Sequence, residues 1–133
     1  MSRALTDQDK TTLRTAAYGA VSLLAAAGAA GGSPHKIATT GTVALASATG
    51  LVGRVLAEKR KAVNLDGKSV AEIAEQVLPA LIASMGLLSE QVPAEADNFR
   101  STVLVAIDTA QQGRSNPAMA EMTRKITAAL DVA

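Results

Sequence analysis

The residues of this chain that could do chemistry are few. One imidazole, His35, stands between Pro34 and Lys36. A general base needs a partner to orient and poise it, and nothing nearby in sequence supplies one. His35 therefore reads as an exposed residue at a helix edge. Glu72 and Glu75 are three residues apart. Carboxylate metal bundles combine such glutamates with Glu-x-x-His pairs on facing helices. No Glu-x-x-His occurs here, and both glutamates fall on a polar helix face. They read as solvated. Asn64-Leu65-Asp66-Gly67-Lys68 is only a fragment of a calcium loop, with too few alternating acidic ligands.

Hydroxyls are plentiful between Thr39 and Thr49. A nucleophilic serine also needs a base and an oxyanion hole, and Gly-x-Ser-x-Gly is absent. Gly28-Ala29-Ala30-Gly31-Gly32 lies between helical segments, where it reads as a helix end and turn rather than a phosphate cradle. Cysteine is absent, which excludes disulfides, thiolate zinc sites and a thiol nucleophile. The reading is a protein with no catalytic residues, no cofactor and no metal.

These residues must be carried by helices. Alanine supplies 28 of the 133 residues and leucine 14, and strand-like alternation of β-branched and polar residues is nearly missing. Alanine is the best helix former because it loses no side-chain entropy on folding. Hydrophobic residues make up 48% of the chain, enough for a core and too much for a disordered chain. The net charge of +1 gives no general attraction to nucleic acid or anionic membrane. With only Tyr18 and Phe99 aromatic, a base-stacking platform is excluded as well. Lys59-Arg60-Lys61, with Lys68 nearby, reads as a solvated helix end.

Five helices are expected in one α-helical domain spanning 1–133. The first runs from Thr6 or Asp7 to about Ala29. Thr6 is its N-cap, and Asp7 and Asp9 lie at the positive dipole end. Leu13, Ala17, Ala20, Leu24 and Ala27 form its inner face, with Arg14 and Tyr18 in an outer polar stripe. The second starts at Ser33-Pro34 and runs to about Lys61. Its Ala38-Thr42-Ala46-Gly50 line and its bulkier face mark it as the buried central helix. The third starts at a Ser69–Glu72 capping box and is kinked by Pro79, with Gly86 to Val92 as a connector. The fourth opens at Pro93 and the fifth at Asn116-Pro117, where Glu121 and Lys125 form an i,i+4 pair. Asp108, after an apolar run, reads as a boundary residue bonded to a hydroxyl of the second helix.

The stretch from Gly113 to Leu130 has a glycine turn, Pro117, Glu121 and a closing Lys-Ile-Thr-Ala-Ala-Leu. In rhythm it resembles TerB-type helical domains. Those have acidic Asp-Gly turns where this chain has Gln112-Gly113, and no function is carried over.

Function follows from what small side chains leave uncovered. The sequence reads as a cytoplasmic, non-catalytic interaction module that pairs with itself as a homodimer, with Ala25 and Ala29 on the interface. No nucleic acid is expected, no membrane, and no identified partner protein. One alternative is a binder of a small apolar ligand, in a cavity around Thr42, Thr49 and Met85 with Met119 and Met122 as adaptable walls. A second is a membrane-associated helical hairpin, because Thr15 to Pro34 and Ile37 to Gly53 carry no charge.

Overall fold

Three helices begin on a proline and two on a reciprocal side-chain cap. Proline suits the first helical position, since its missing N–H has no intrahelical partner there in any case. The computed structural model describes residues 5–28, 34–57, 69–111 and 117–131, and within them the chain is helical with no strand. The elements are α1 (Asp7–Ala27), α2 (Pro34–Ala46), α3 (Gly50–Ala57), α4 (Val70–Gln91), α5 (Pro93–Gln111) and α6 (Pro117–Asp131). Thr6 caps α1: its hydroxyl accepts from the Asp9 amide at 3.0 Å, and the Asp9 carboxylate accepts from the Thr6 amide at 3.1 Å. Ser69 and Glu72 make the same reciprocal pair at α4. Ser33 and Asn116 lie outside the described residues.

The domain is all-α, with six helices where the spacing predicts five. The expected second helix breaks at residues 47–49. Ser47 and Ala48 bond back to the carbonyls of Ala44 and Leu45, a tightening three-residue closure, and Gly50 then takes φ +73°. That left-handed backbone is open to glycine and strained for other residues. A carboxylate of Glu95 also fills the space a Cβ on Gly50 would take, at 3.0 Å. The expected connector is corrected in the opposite direction. Residues 86–91 belong to α4, because Leu88 is core and its burial outweighs the roughly 1 kcal/mol penalty of Gly86. Val92 alone joins α4 to α5, and α4 continues through Pro79.

The buried, alanine-rich central helix is α1, not the segment after Pro34. It touches every other helix, and α4, the longest, packs on α1, α5 and α6. Leu13, Ala17, Ala20, Leu24 and Ala27 are all buried as their spacing predicts, and so are Phe99, Val103, Ala106, Ile107 and Ala110 of α5. The Thr42-Ala46-Gly50 line is exposed, with the Ala38 side chain outside the described residues. Close approach of α2 to α1 happens instead at Gly41, under Val21.

The expected polar stripe of α1 turns inward at one point. Arg14 is only 3% exposed. Its guanidinium donates to the Val55 carbonyl at 3.4 Å, and the Tyr18 hydroxyl donates to the Leu56 carbonyl at 2.6 Å. Burial pushes the Tyr18 phenol above its ordinary value of about 10, with Arg14 opposing the shift. The folded chain therefore holds the phenol proton more tightly than the unfolded chain. The stability linked to that proton is complete below about pH 10 and is lost as pH rises through the folded-state pKa. Tyr18 is the only tyrosine and there is no tryptophan, so absorbance near 295 nm reports it cleanly. The expected titration midpoint lies above that of the urea-unfolded chain. Coincident midpoints would contradict the burial.

Candidate functional site

Two adjoining openings follow one seam, where the outer faces of α2 and α5 meet. Helical spacing builds each wall. Residues 39 and 43 stack along α2, with 47 just past its end, and 98, 102, 105 and 109 stack along α5, at steps of three and four. The upper part of the groove encloses about 500 Å³, between Thr39, Thr40, Val43 and Ala44 on one side and Val105 and Thr109 on the other. Ala44, Ser47 and Val105 continue it into a lower part of about 240 Å³, closed by Thr49, Asn98 and Thr102. Val43 is 62% exposed and Val105 59%, so an aliphatic ridge stands on each wall. The Ser47 hydroxyl donates back to the Val43 carbonyl at 3.3 Å.

None of the residues lining this groove is ionisable. It offers methyl groups, hydroxyls and one amide, with no acid–base pair among the lining residues. Among the described residues there is also no cluster of three or more His, Cys, Asp or Glu side chains able to hold a metal. A second groove, of about 380 Å³, runs between Thr11, Thr12 and Thr15 of α1 and Pro79, Ala80 and Ala83 of α4.

The residues expected to form a ligand cavity are dispersed. Thr49 lines the lower α2–α5 groove, while Thr42 is exposed on α2 and lines neither part. Met85 and Met119 are buried in the core, and Met122 is half-buried against it. None of these methionines lines a groove described above. Of the expected interface pair, Ala25 is 5% exposed and packed inside the monomer. Ala29 lies outside the described residues.

The candidate chemistry is placed as follows. Glu72 is exposed and spent on the α4 cap, and Glu75 is exposed one turn on. Asp108 is exposed too, without the expected bond to an α2 hydroxyl among the described residues. Glu121 pairs with Arg124 rather than Lys125. Hydrogen bonding and charge from Arg124 hold its carboxyl below the usual range, with Lys125 a lesser influence. His35 sits in the first turn of α2, with its side chain outside the described residues. Ser33-Pro34-His35-Lys36 has Ser-x-x-Lys spacing, and these side chains are outside them as well. So are the 58–68 stretch with its basic cluster and the Asn64–Lys68 turn.

No family model, curated protein or solved structure matches this chain. The resemblance of 113–130 to TerB-type domains gains no support from them. The alternative of a membrane hairpin over 15–53 meets a break in the chain. Its second arm is divided into helices of 13 and 8 residues, against the ~20 that a spanning helix needs. Among the described residues only Val70–Gln91 is long and apolar enough to cross a membrane by length and composition.

Val43 and Val105 are the residues missed at sequence level. Their signal was phase. Ile37, Gly41 and Leu45 are buried on one side of α2, and Val43 is half a turn away from Gly41 and Leu45.

Proposed function

We propose that this bundle is a non-catalytic interaction module that pairs with a second copy of itself across the α2–α5 face. The observation that carries the reading is the pair of exposed valines on a groove lined by uncharged residues. Apolar ridges are isolated on most monomer surfaces; here two flank a continuous channel. The residues lining the groove carry no charge, so this strip meets its own copy without like-charge repulsion, and the exposed Asp108 lies beside it on α5. Two-fold pairing is the commonest closed arrangement, and it would seat Val43 of each copy in the other's groove. The sequence-level interface on α1 is thereby moved to α2 and α5, since Ala25 is interior.

Gel filtration with light scattering tests it. The wild-type chain is expected at twice 13.5 kDa at tens of micromolar. V43E and V105E are each expected to give the single-chain mass with an unchanged helical circular dichroism spectrum. A wild-type mass of one chain at that concentration overturns the proposal. The groove volume also falls within the range of small-molecule sites, roughly 300–1,000 Å³. Native mass spectrometry separates that second reading: an apolar compound carried by wild-type monomer and lost in V43E would favour ligand binding over pairing.

A further inference from the structure

We infer that α3 is a strap: it opens and closes as one unit about Gly50 while the rest of the bundle stays folded. Eight residues with glycine at 50 and 53 do not hold a helix in water by themselves. Other helices hold this one by its ends. At its N-terminus the Val52 amide donates to Glu95 Oε1 at 2.9 Å, from the first turn of α5. Asn98, one turn along α5, donates to the Thr49 carbonyl at 2.8 Å and to the same Glu95 oxygen at 3.2 Å, which ties the two latch residues together. At the C-terminus Arg14 and Tyr18 of α1 take the last carbonyls. An anion at the N-terminus and a cation at the C-terminus also match the helix dipole.

Little else anchors the strap. It buries Val52, Val55 and Leu56. Among the described residues it packs on α1, α2 and α5, and touches neither α4 nor α6. Lifting it leaves the α1–α4–α6 contacts in place. Arg14 lies buried under its C-terminal end. The hinge is in place as well. Residues 47–49 are non-helical, and Gly50 occupies a backbone region that glycine enters and leaves without penalty. The latch shares Thr49 and Asn98 with the lower α2–α5 groove, so exchange is read at a concentration at which light scattering gives the single-chain mass.

Residue-resolved hydrogen exchange on the full chain, in wild type, E95A and Y18F, tests the strap. The wild-type amides of Gly53, Arg54, Val55 and Leu56 are expected to exchange with one common opening equilibrium, faster than Val77 and Leu81 in α4. Loss of either latch should speed all four by about fivefold, the scale of one lost cap, and leave the α4 amides unchanged. Val52 is left out of the reading because E95A removes its own acceptor. Y18F keeps the ring and serves where E95A disturbs the start of α5. The strap is overturned if E95A acts only on the first turn and Y18F only on the last, which is independent fraying. It is equally overturned if α3 exchanges at the α4 rate in all three proteins.

Discussion

Aspartate at position 25 is expected to remove a large part of the bundle's stability, where glutamate at position 43 leaves it nearly unchanged. Both substitutions put a carboxylate on an apolar helical position, and the difference is burial. Ala25 sits inside α1, the helix that touches all the others. A carboxylate there loses its water and gains no designed partner, which costs about 3–5 kcal/mol. Domains of this kind are stable by only about 5–15 kcal/mol. A25D should therefore lower the urea midpoint sharply with an unchanged m-value. Burial raises the folded-state pKa of the new carboxyl above its unfolded value. The deficit is thus largest at neutral pH and shrinks as pH falls through the folded-state pKa and the group becomes neutral. An A25D protein that keeps the wild-type midpoint and becomes monomeric would instead return the interface to α1.

The second large effect is at the crossing of α1 and α4. A methyl group on Gly19 would lie 2.5 Å from Cγ2 of Val77, which is fully buried. In a helix valine is confined almost to one rotamer, so it cannot swing away. G19A must push the helices apart, at about 1–3 kcal/mol for overpacking, against the roughly 0.5–1 kcal/mol that alanine returns in helix propensity. V77A on its own empties space and should cost about 2 kcal/mol. In the double variant the methyl on residue 19 occupies part of the volume that residue 77 vacates. The two changes together are expected to cost about 1 kcal/mol less than their sum. Urea melts of the four proteins measure it. Additivity within about 0.5 kcal/mol would mean that α1 and α4 do not meet at this pair.

What lay within one helical turn was legible. Thr6 with Asp9, Ser69 with Glu72, and the prolines at 34, 93 and 117 mark helix starts through bonds or backbone angles confined to three or four residues. Those interactions depend on nothing distant. The inner faces were legible for a related reason. A residue such as Phe99, three or four places from other apolar residues on α5, has one side on which to be buried whatever packs there. The absence of cysteine and the near-balance of charge likewise narrowed the chemistry before any fold was considered.

Everything decided by a second helix was not legible. Gly50 fits a small-residue line every four positions, and only the carboxylate of Glu95, 45 residues on, gives α3 a reason to start there. Arg14 belongs to a polar stripe on its own helix and turns inward only because the end of α3 presents carbonyls to it. Gly86 looks like a connector until Leu88 is seen to complete the core. Of the residues expected around an apolar ligand cavity, Thr49 lines the lower groove, Thr42 is exposed beside it on α2, and Met85 and Met119 lie in the core, because helical spacing names a face without naming what the face meets. By itself the sequence determined an alanine-rich helical domain with these starts and these apolar stripes, since local bonds and side-chain period suffice for that. Only the tertiary structure decided that α1 is central, that α3 is a separate helix pinned at both ends, and that Val43 and Val105 face outward across one groove, because each rests on contacts between residues far apart in the chain.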